Sequence, residues 1–161
     1  MLVVFDTSPW IFLSKLGLIE QTVGLFNKVF IPSSVGEEIS VRRDEAFNAL
    51  ERLRATGHVE VTQARNSRFV KALRRRLGKG EAEAIVIALE KDAEVVILDD
   101  HTARSEAMRL GLQVKGTLGI IRRLMELGEF KGDLRELYRC LGEIGFRVKE
   151  NLFWQIFSGI E

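Results

Sequence analysis

The sequence predicts an α/β fold, a central parallel five-stranded sheet flanked by helices, on three observations. Short runs rich in β-branched residues alternate with helix-length segments along the chain. The best of these runs, such as Val95-Val96-Ile97-Leu98, are apolar at every position, as strands covered on both faces must be. At 161 residues, 46% of them hydrophobic, the chain is of one-domain size and can bury a core without a disulfide or metal scaffold.

Strands are expected at Leu2 to Asp6, Lys28 to Ile31, His58 to Thr62, Glu94 to Leu98 and Leu112 to Lys115. Helices are expected at Pro9 to Phe26 with a break near Gly17, Ser33 to Thr56 with a break, Ser67 to Leu77, Glu81 to Lys91, His101 to Leu110 and Leu118 to Leu127. Two more follow, Asp133 to Ile144 and Asn151 to Phe157. Thr7 or Ser8 is placed to cap the helix opening at Pro9, and Pro32 ends a strand before Ser33 or Ser34 starts the next helix. Gly57, Gly78, Gly111 and Gly128 each follow a helical stretch and read as C-terminal caps. No repeat, low-complexity tract or linker divides the chain, so residues 1–161 are expected to form one domain with C-terminal helices (about 133–161) packed on it.

Composition excludes several classes. A single cysteine, Cys140, rules out an intramolecular disulfide and a cysteine-based zinc site, and favours a reducing, cytoplasmic setting. Cys140 itself is expected to be a small core residue. The longest apolar run, Ala84 to Leu89, is too short for a membrane span, and Met1 to Phe5 reads as a strand instead of a leader. With 24 Lys and Arg against 23 Asp and Glu, the net charge of +1 excludes a uniformly basic nucleic-acid binder, yet the signs are locally segregated.

In a parallel α/β sheet, ligands bind outside the carboxyl ends of the strands, and the residues there are acidic. Asp6 ends the first expected strand and Asp99-Asp100 the fourth. Glu38 lies about two turns into the helix after the second strand, and Glu81 and Glu83 lie in the first turn of the helix opened by Gly78-Lys79-Gly80. A cluster of carboxylates with hardly any His suits a hard divalent cation, Mg²⁺ or Mn²⁺, and the matching chemistry is phosphodiester hydrolysis. Each acid also has a plainer reading. Asp6, Asp100 and the two glutamates all sit where helix capping favours an acid. Glu81 and Glu83 are about 200° apart on a helix and cannot share a face. Glu83 is preferred for the cluster because it opens an almost wholly apolar stretch, where a buried acid needs partners.

The same segments resemble the PIN domain ribonucleases, and within them the small VapC-like toxins of toxin–antitoxin pairs. Val3-Val4-Phe5-Asp6-Thr7-Ser8-Pro9 is similar to the family's first strand with its catalytic Asp. Phe30-Ile31-Pro32-Ser33-Ser34-Val35-Gly36-Glu37-Glu38-Ile39 resembles the segment whose Glu, three residues after Val, is the second acid, mapping to Glu38 over Glu37. Gly80-Glu81-Ala82-Glu83-Ala84-Ile85 resembles the third-acid helix, and Ile97-Leu98-Asp99-Asp100, followed by Ala103, Ala107 and Gly111, the fourth site. There Leu98-Asp99-Asp100 departs from the family's Thr-x-Asp, leaving Asp99 and Asp100 as alternatives. The resemblance covers nearly the whole chain. It implies a PIN-like domain acting as a Mg²⁺- or Mn²⁺-dependent endoribonuclease, with Asp6, Glu38, Glu83 and Asp99 or Asp100 as catalytic and metal-binding acids. It further implies a small antitoxin protein or a second copy of the chain as partner.

Between Arg65 and Lys79 the chain carries seven basic residues and no acidic one. Arg68, Lys71, Arg74, Arg75, Arg76 and Lys79 are expected to contact RNA, with Arg68, Lys71 and Arg75 in a stripe and Phe69, Val70, Leu73 and Leu77 facing the body. The plain alternative is a solvated face or a surface for an acidic protein. In the C-terminal segment Phe153, Ile156, Phe157 and Ile160 repeat at helical spacing, so core packing is the first reading and a dimer or antitoxin contact the second. Two rivals to the nuclease remain at this level. A non-catalytic binding module is compatible with the same fold. A phosphohydrolase with an aspartyl nucleophile would need a second Asp where Ser8 stands.

Overall fold

The computed structural model describes residues 1–160. Its strands are β1 (Leu2–Phe5), β2 (Lys28–Pro32), β3 (Val59–Thr62), β4 (Val95–Ile97) and β5 (Gln113–Lys115), all parallel in the order β3-β2-β1-β4-β5. The chain lays β1 to β3 outward to one side and then returns to pair β4 with β1 on the other. That reversal puts the topological switch point between β1 and β4, where a crevice opens beyond their carboxyl ends. Register is fixed there by Val4 opposite Phe30 and Phe5 opposite Ile97.

Because successive strand residues point to opposite faces, an all-apolar β1 supplies two cores at once. Val3 and Phe5 join Val29, Ile31, Val95 and Ile97 on one face. It is covered by α1 (Thr7–Lys15), α2 (Ile19–Val23), α3 (Ser33–Arg42), α4 (Glu45–Ala55), α8 (Thr117–Glu126), α9 (Leu134–Glu143) and α10 (Glu150–Ile156). Val4, Phe30, Val96 and Leu98 face the other side, under α5 (Ser67–Leu73), α6 (Lys79–Glu90) and α7 (His101–Arg109). Helix α6 is the most deeply placed: Gly80 and every residue from Ala82 to Ala88 are buried.

The expected breaks fall at Gly17, in a left-handed conformation between α1 and α2, and at Arg43 with φ of 53° between α3 and α4, where Asp44 then caps α4. Three local expectations are corrected. Position Asp6, not Thr7 or Ser8, precedes α1, because the strand leads directly into the helix. At Pro32 the strand ends and α3 starts at Ser33, as expected. Gly78 has φ of −67° and opens α6 instead of closing α5, which ends at Leu73. Cys140 is only half-buried and lies 3.8 Å from a Glu136 carboxylate oxygen, because α9 packs through Leu137 and Leu141 on its other side.

The C-terminal helices belong to the first core. Phe153 is fully buried and meets Tyr138, Trp154 and Phe157 at ring-centroid distances of 5.0, 5.3 and 4.7 Å. The Arg122 Nη1 group donates to the Ile156 and Ser158 carbonyls, both at 2.7 Å, tying α10 to α8. Phe153→Ala is therefore expected to cost about 3–5 kcal/mol of stability, read as a lower urea midpoint with an unchanged slope. A stable variant that instead changes oligomeric state would place Phe153 in an interface.

Candidate active site

The carboxyl ends of β1 and β4 bring Asp6 and Asp99 to the switch point. The Asp6 N–H donates to the Ile97 carbonyl at 3.1 Å, prolonging the ladder by one residue and fixing the side chain at the crevice. Although Asp6 occupies the capping position of α1, its carboxylate makes no capping hydrogen bond. Capping therefore does not explain this acid, which is 9% exposed.

The adjacent pair divides its work. Asp99 accepts from the Thr117 N–H at 2.8 Å and the Thr117 hydroxyl at 2.6 Å. Asp100 caps α7, accepting from the Ala103 N–H at 3.0 Å, so the plain reading holds for one of its oxygens. Gly116 makes the Asp99 arrangement possible: a Cβ there would stand 2.9 Å from Asp99 Oδ1 and 2.7 Å from Arg104 Nη1. Arg104 in turn donates to the Leu98 carbonyl at 2.9 Å, bracing the turn.

On α6 the structure brings Glu81, not Glu83, to the acids. Glu81 accepts through Oε1 from the Gly78 N–H at 3.2 Å, while its buried Oε2 has no partner among the described residues. Glu83 faces the other way, toward α5 and a pocket lined by Lys71, Arg74 and Lys79. The correction has a simple cause. Helix α6 is buried on nearly all sides, so an apolar flank says that Glu83 is inside but not which side it faces. The usable signal was the spacing of Glu81 from Gly78, the third helical position, which aims a side chain back at the helix start.

Gly80 lets that helix start approach the sheet: a Cβ would stand 3.1 Å from Asp6 Oδ1 and 3.0 Å from Val35 Cγ2. Glu38, on α3, is exposed at the rim and adds its charge to the fields at Asp6 and Glu81. Glu37 lines a separate surface groove with Arg54.

The electrostatic consequence falls on Asp6. Burial above all, reinforced by Glu81, Glu38 and Asp99 and opposed by the Thr7 N–H, pushes its pKa up to about 7. Burial also raises Asp99 against the Thr117 hydrogen bonds and the Arg104 charge. Glu81 is raised by burial, against the Gly78 N–H, with Asp100 adding to the rise through its charge and through a side-chain hydrogen bond that two carboxyl groups make only by sharing a proton, and Glu38 through its charge.

Among the described residues no three His, Cys, Asp or Glu side chains already stand as a ligand set around one point. The donor chemistry nonetheless fits a hard cation. Every nearby donor is an oxygen, and both Glu81 Oε2 and the Thr7 hydroxyl are buried without a partner.

The basic residues are distributed differently from the expected stripe. Since α5 ends at Leu73, Arg74 to Arg76 lie in the following turns, and Arg76 sits 3.8 Å from the Glu106 carboxylate. Arg68, Lys71, Arg74, Arg75 and Lys79 are all exposed, and of these Lys71, Arg74 and Lys79 line one pocket with Glu83. A second set of cations was not legible in the sequence. Asp99 and Asp100 line one part of a cleft of about 1230 Å³ to which the Gly145–Lys149 turn contributes Arg147 and Lys149. The two histidines do not meet: His58 Nε2 is 2.6 Å from the Phe26 carbonyl at the amino end of the sheet, and His101 follows β4 at the opposite end.

A five-stranded parallel sheet with an acidic crevice at its switch point is the architecture of a PIN-like domain. The model of a family described as PIN domain matches residues 2–161, and the chain belongs to that family. Comparison with curated proteins found no match. Among solved structures, the chain is similar to a domain of a functionally unknown protein from Methanocaldococcus jannaschii DSM 2661, at 22% identity and a TM-score of 0.47, over 71% of this chain and 89% of that one. No helix of the described residues is long and apolar enough to cross a membrane.

Raising the pKa of Asp6 in the folded state makes that state the stronger proton binder between the unfolded value of 3.8 and about 7. Its contribution to stability is therefore full below the unfolded pKa and is lost as pH rises toward about 7. Asp6→Asn is expected to abolish that loss, so denaturation midpoints of variant and wild type should diverge between pH 3.8 and about 7 and run parallel above it, the variant being the more stable at the upper end. Parallel curves would show that Asp6 titrates as an ordinary carboxylate.

Proposed function

We propose that the protein is a Mg²⁺- or Mn²⁺-dependent endoribonuclease of the VapC-like branch, cutting single-stranded or looped RNA. The observation that carries this reading is the buried Asp6, its pKa pushed up to about 7, beside Glu81, whose buried Oε2 meets no N–H or O–H donor among the described residues. Asp6, Glu81 and Asp99, with Glu38 and the free oxygen of Asp100 at the rim, are the residues that would hold the cation. Such an ion supplies an activated water and neutralises charge on the leaving oxygen.

The chain's own contribution is positioning. Burial and the neighbouring acids hold the Asp6 pKa up at about 7, and a bound cation would favour its ionised form. Thr117 holds Asp99 in one orientation by two hydrogen bonds. Glu83, the residue preferred from sequence, has no part in the acidic set on this reading and Glu81 replaces it. Arg147 and Lys149 line the cleft with Asp99 and Asp100, and Lys71, Arg74 and Lys79 the pocket on the α5 side; on this reading they would hold phosphates away from the reacting one. The finer reading makes the protein a cytoplasmic toxin whose partners are RNA, a small antitoxin and a second copy of the chain. It rests on the small size and on motifs running through nearly the whole sequence.

Asp6→Asn and Glu81→Gln are each expected to lower cleavage of single-stranded RNA in Mn²⁺ buffer by more than the roughly 100-fold typical of lost outer-shell contacts. Glu37→Gln should remain active. Circular dichroism reports whether each variant is folded. Wild-type cleavage that persists in EDTA, or a fully active Glu81→Gln, would remove the assignment. In the same preparations, millimolar Mn²⁺ should raise the melting temperature of the wild type and leave that of Asp6→Asn unmoved.

A further inference from the structure

The pocket on the α5 side of α6 has no role in the acidic site. It measures about 480 Å³ and is lined by Gln63, Ala64, Ser67 and Val70 together with three cations, Lys71, Arg74 and Lys79, and one acid, Glu83. Glu83 is 7% exposed, yet among the described residues it has no hydrogen-bond or ion-pair partner. Nor are Lys71, Arg74 and Lys79 engaged in any ion pair there. The Glu83 stem is buried while its carboxylate opens on the pocket, and none of the three cations that line the pocket closes on it. The space left between acid and cations calls for a ligand that carries its own negative charge and its own N–H donors.

We infer that this pocket binds a guanine nucleotide of the RNA strand, with Glu83 reading the base and Lys71, Arg74 and Lys79 holding its phosphate. An ionised carboxylate only accepts hydrogen bonds, through two adjacent oxygens. Guanine alone among the four bases presents two adjacent donors, N1–H and the N2 amino group, on its Watson–Crick edge. Adenine and cytosine set a ring-nitrogen acceptor beside their amino group, and uracil flanks its single N–H with two carbonyls, so each would place a lone pair against Glu83. Reading that edge requires an unpaired base, as in a loop or single strand. Val70 and Ala64 offer apolar surface to the ring. The pocket adjoins the acidic crevice, for Glu81 and Glu83 leave the same first turns of α6 toward opposite sides. A strand with one phosphate at Asp6 can therefore place a neighbouring nucleotide here. The inference deepens the nuclease reading and rests on it for the presence of RNA, but its test reads binding alone.

Ligand-observed NMR on the wild-type protein, titrated separately with guanosine, inosine, adenosine, cytidine and uridine 5′-monophosphates, decides the matter. Guanosine monophosphate should bind about 10-fold or more tightly than the adenosine, cytidine and uridine compounds, the usual discrimination of a two-hydrogen-bond base contact. Inosine monophosphate, which lacks only the 2-amino group, should lose most of that advantage, and Glu83→Gln should erase the preference. Lys71→Ala should weaken all five alike. Equal affinities, absence of binding, inosine matching guanosine, or a preference that survives Glu83→Gln would each overturn the assignment. The inosine comparison needs no variant and so stands even if Glu83→Gln fails to fold. Guanosine selectivity without any RNA cleavage would overturn the nuclease and leave the pocket; metal-dependent cleavage without guanosine selectivity would do the reverse.

Discussion

The site is organised by one unfavourable interaction, the desolvation of the Asp6 carboxylate among other acids. Burial and three like charges hold its pKa near neutrality, about 7. A protein that sought stability alone would place an apolar residue or a capping amide there. Asp6 makes no capping bond in return, and the Thr7 N–H offsets only part of the cost, so the rest has to come from outside the chain. A proton supplies it at low pH, and on the proposed reading a divalent cation supplies it at neutral pH.

The fold is able to hold that strain because the carboxylate sits on the most constrained strand. β1 is hydrogen-bonded on both edges and buried on both faces, which leaves its carboxyl end little freedom to relax. Two glycines complete the enclosure. Gly80 brings the start of α6 against Asp6, and Gly116 brings the start of α8 against Asp99. In each case the absent Cβ is what allows a helix start and a carboxylate to share space. Thr117 and Arg104 then fix the turn after β4, with the Thr117 hydroxyl committed to Asp99 and the guanidinium to the Leu98 carbonyl.

Charge is sorted around this centre in a way that a net value of +1 conceals. Acids gather at the switch point. Cations flank it on two sides, Lys71, Arg74 and Lys79 beside α6 and Arg147 and Lys149 across the large cleft. On the proposed reading, cations on two sides would attract a polyanion while the acidic centre stays short of positive charge. For phosphodiester chemistry that is a useful division, because contacts to flanking phosphates orient the strand without competing for the reacting one.

The sequence by itself determined the layout. Strand and helix identities follow from local periodicity, and every expected element is present with ends shifted by no more than a few residues. The acids at the ends of β1 and β4 were legible because a polar residue directly after an apolar strand must emerge at the sheet edge. What only the tertiary structure decided is which side buried or paired residues face. Glu81 and Glu83 exchange places because α6 is enclosed all round, so its pattern carries no facing information. Asp99 and Asp100 are separated by Thr117, which lies 18 residues beyond Asp99 in the chain. Cys140 sits in an amphipathic helix at a position whose half-exposure depends on where Leu137 and Leu141 dock. The cations of the Gly145–Lys149 turn reach the cleft only because Phe153 and Phe157 anchor the C-terminal helices to the first core. In each case the deciding contact joins segments distant in sequence, and local periodicity is blind to it.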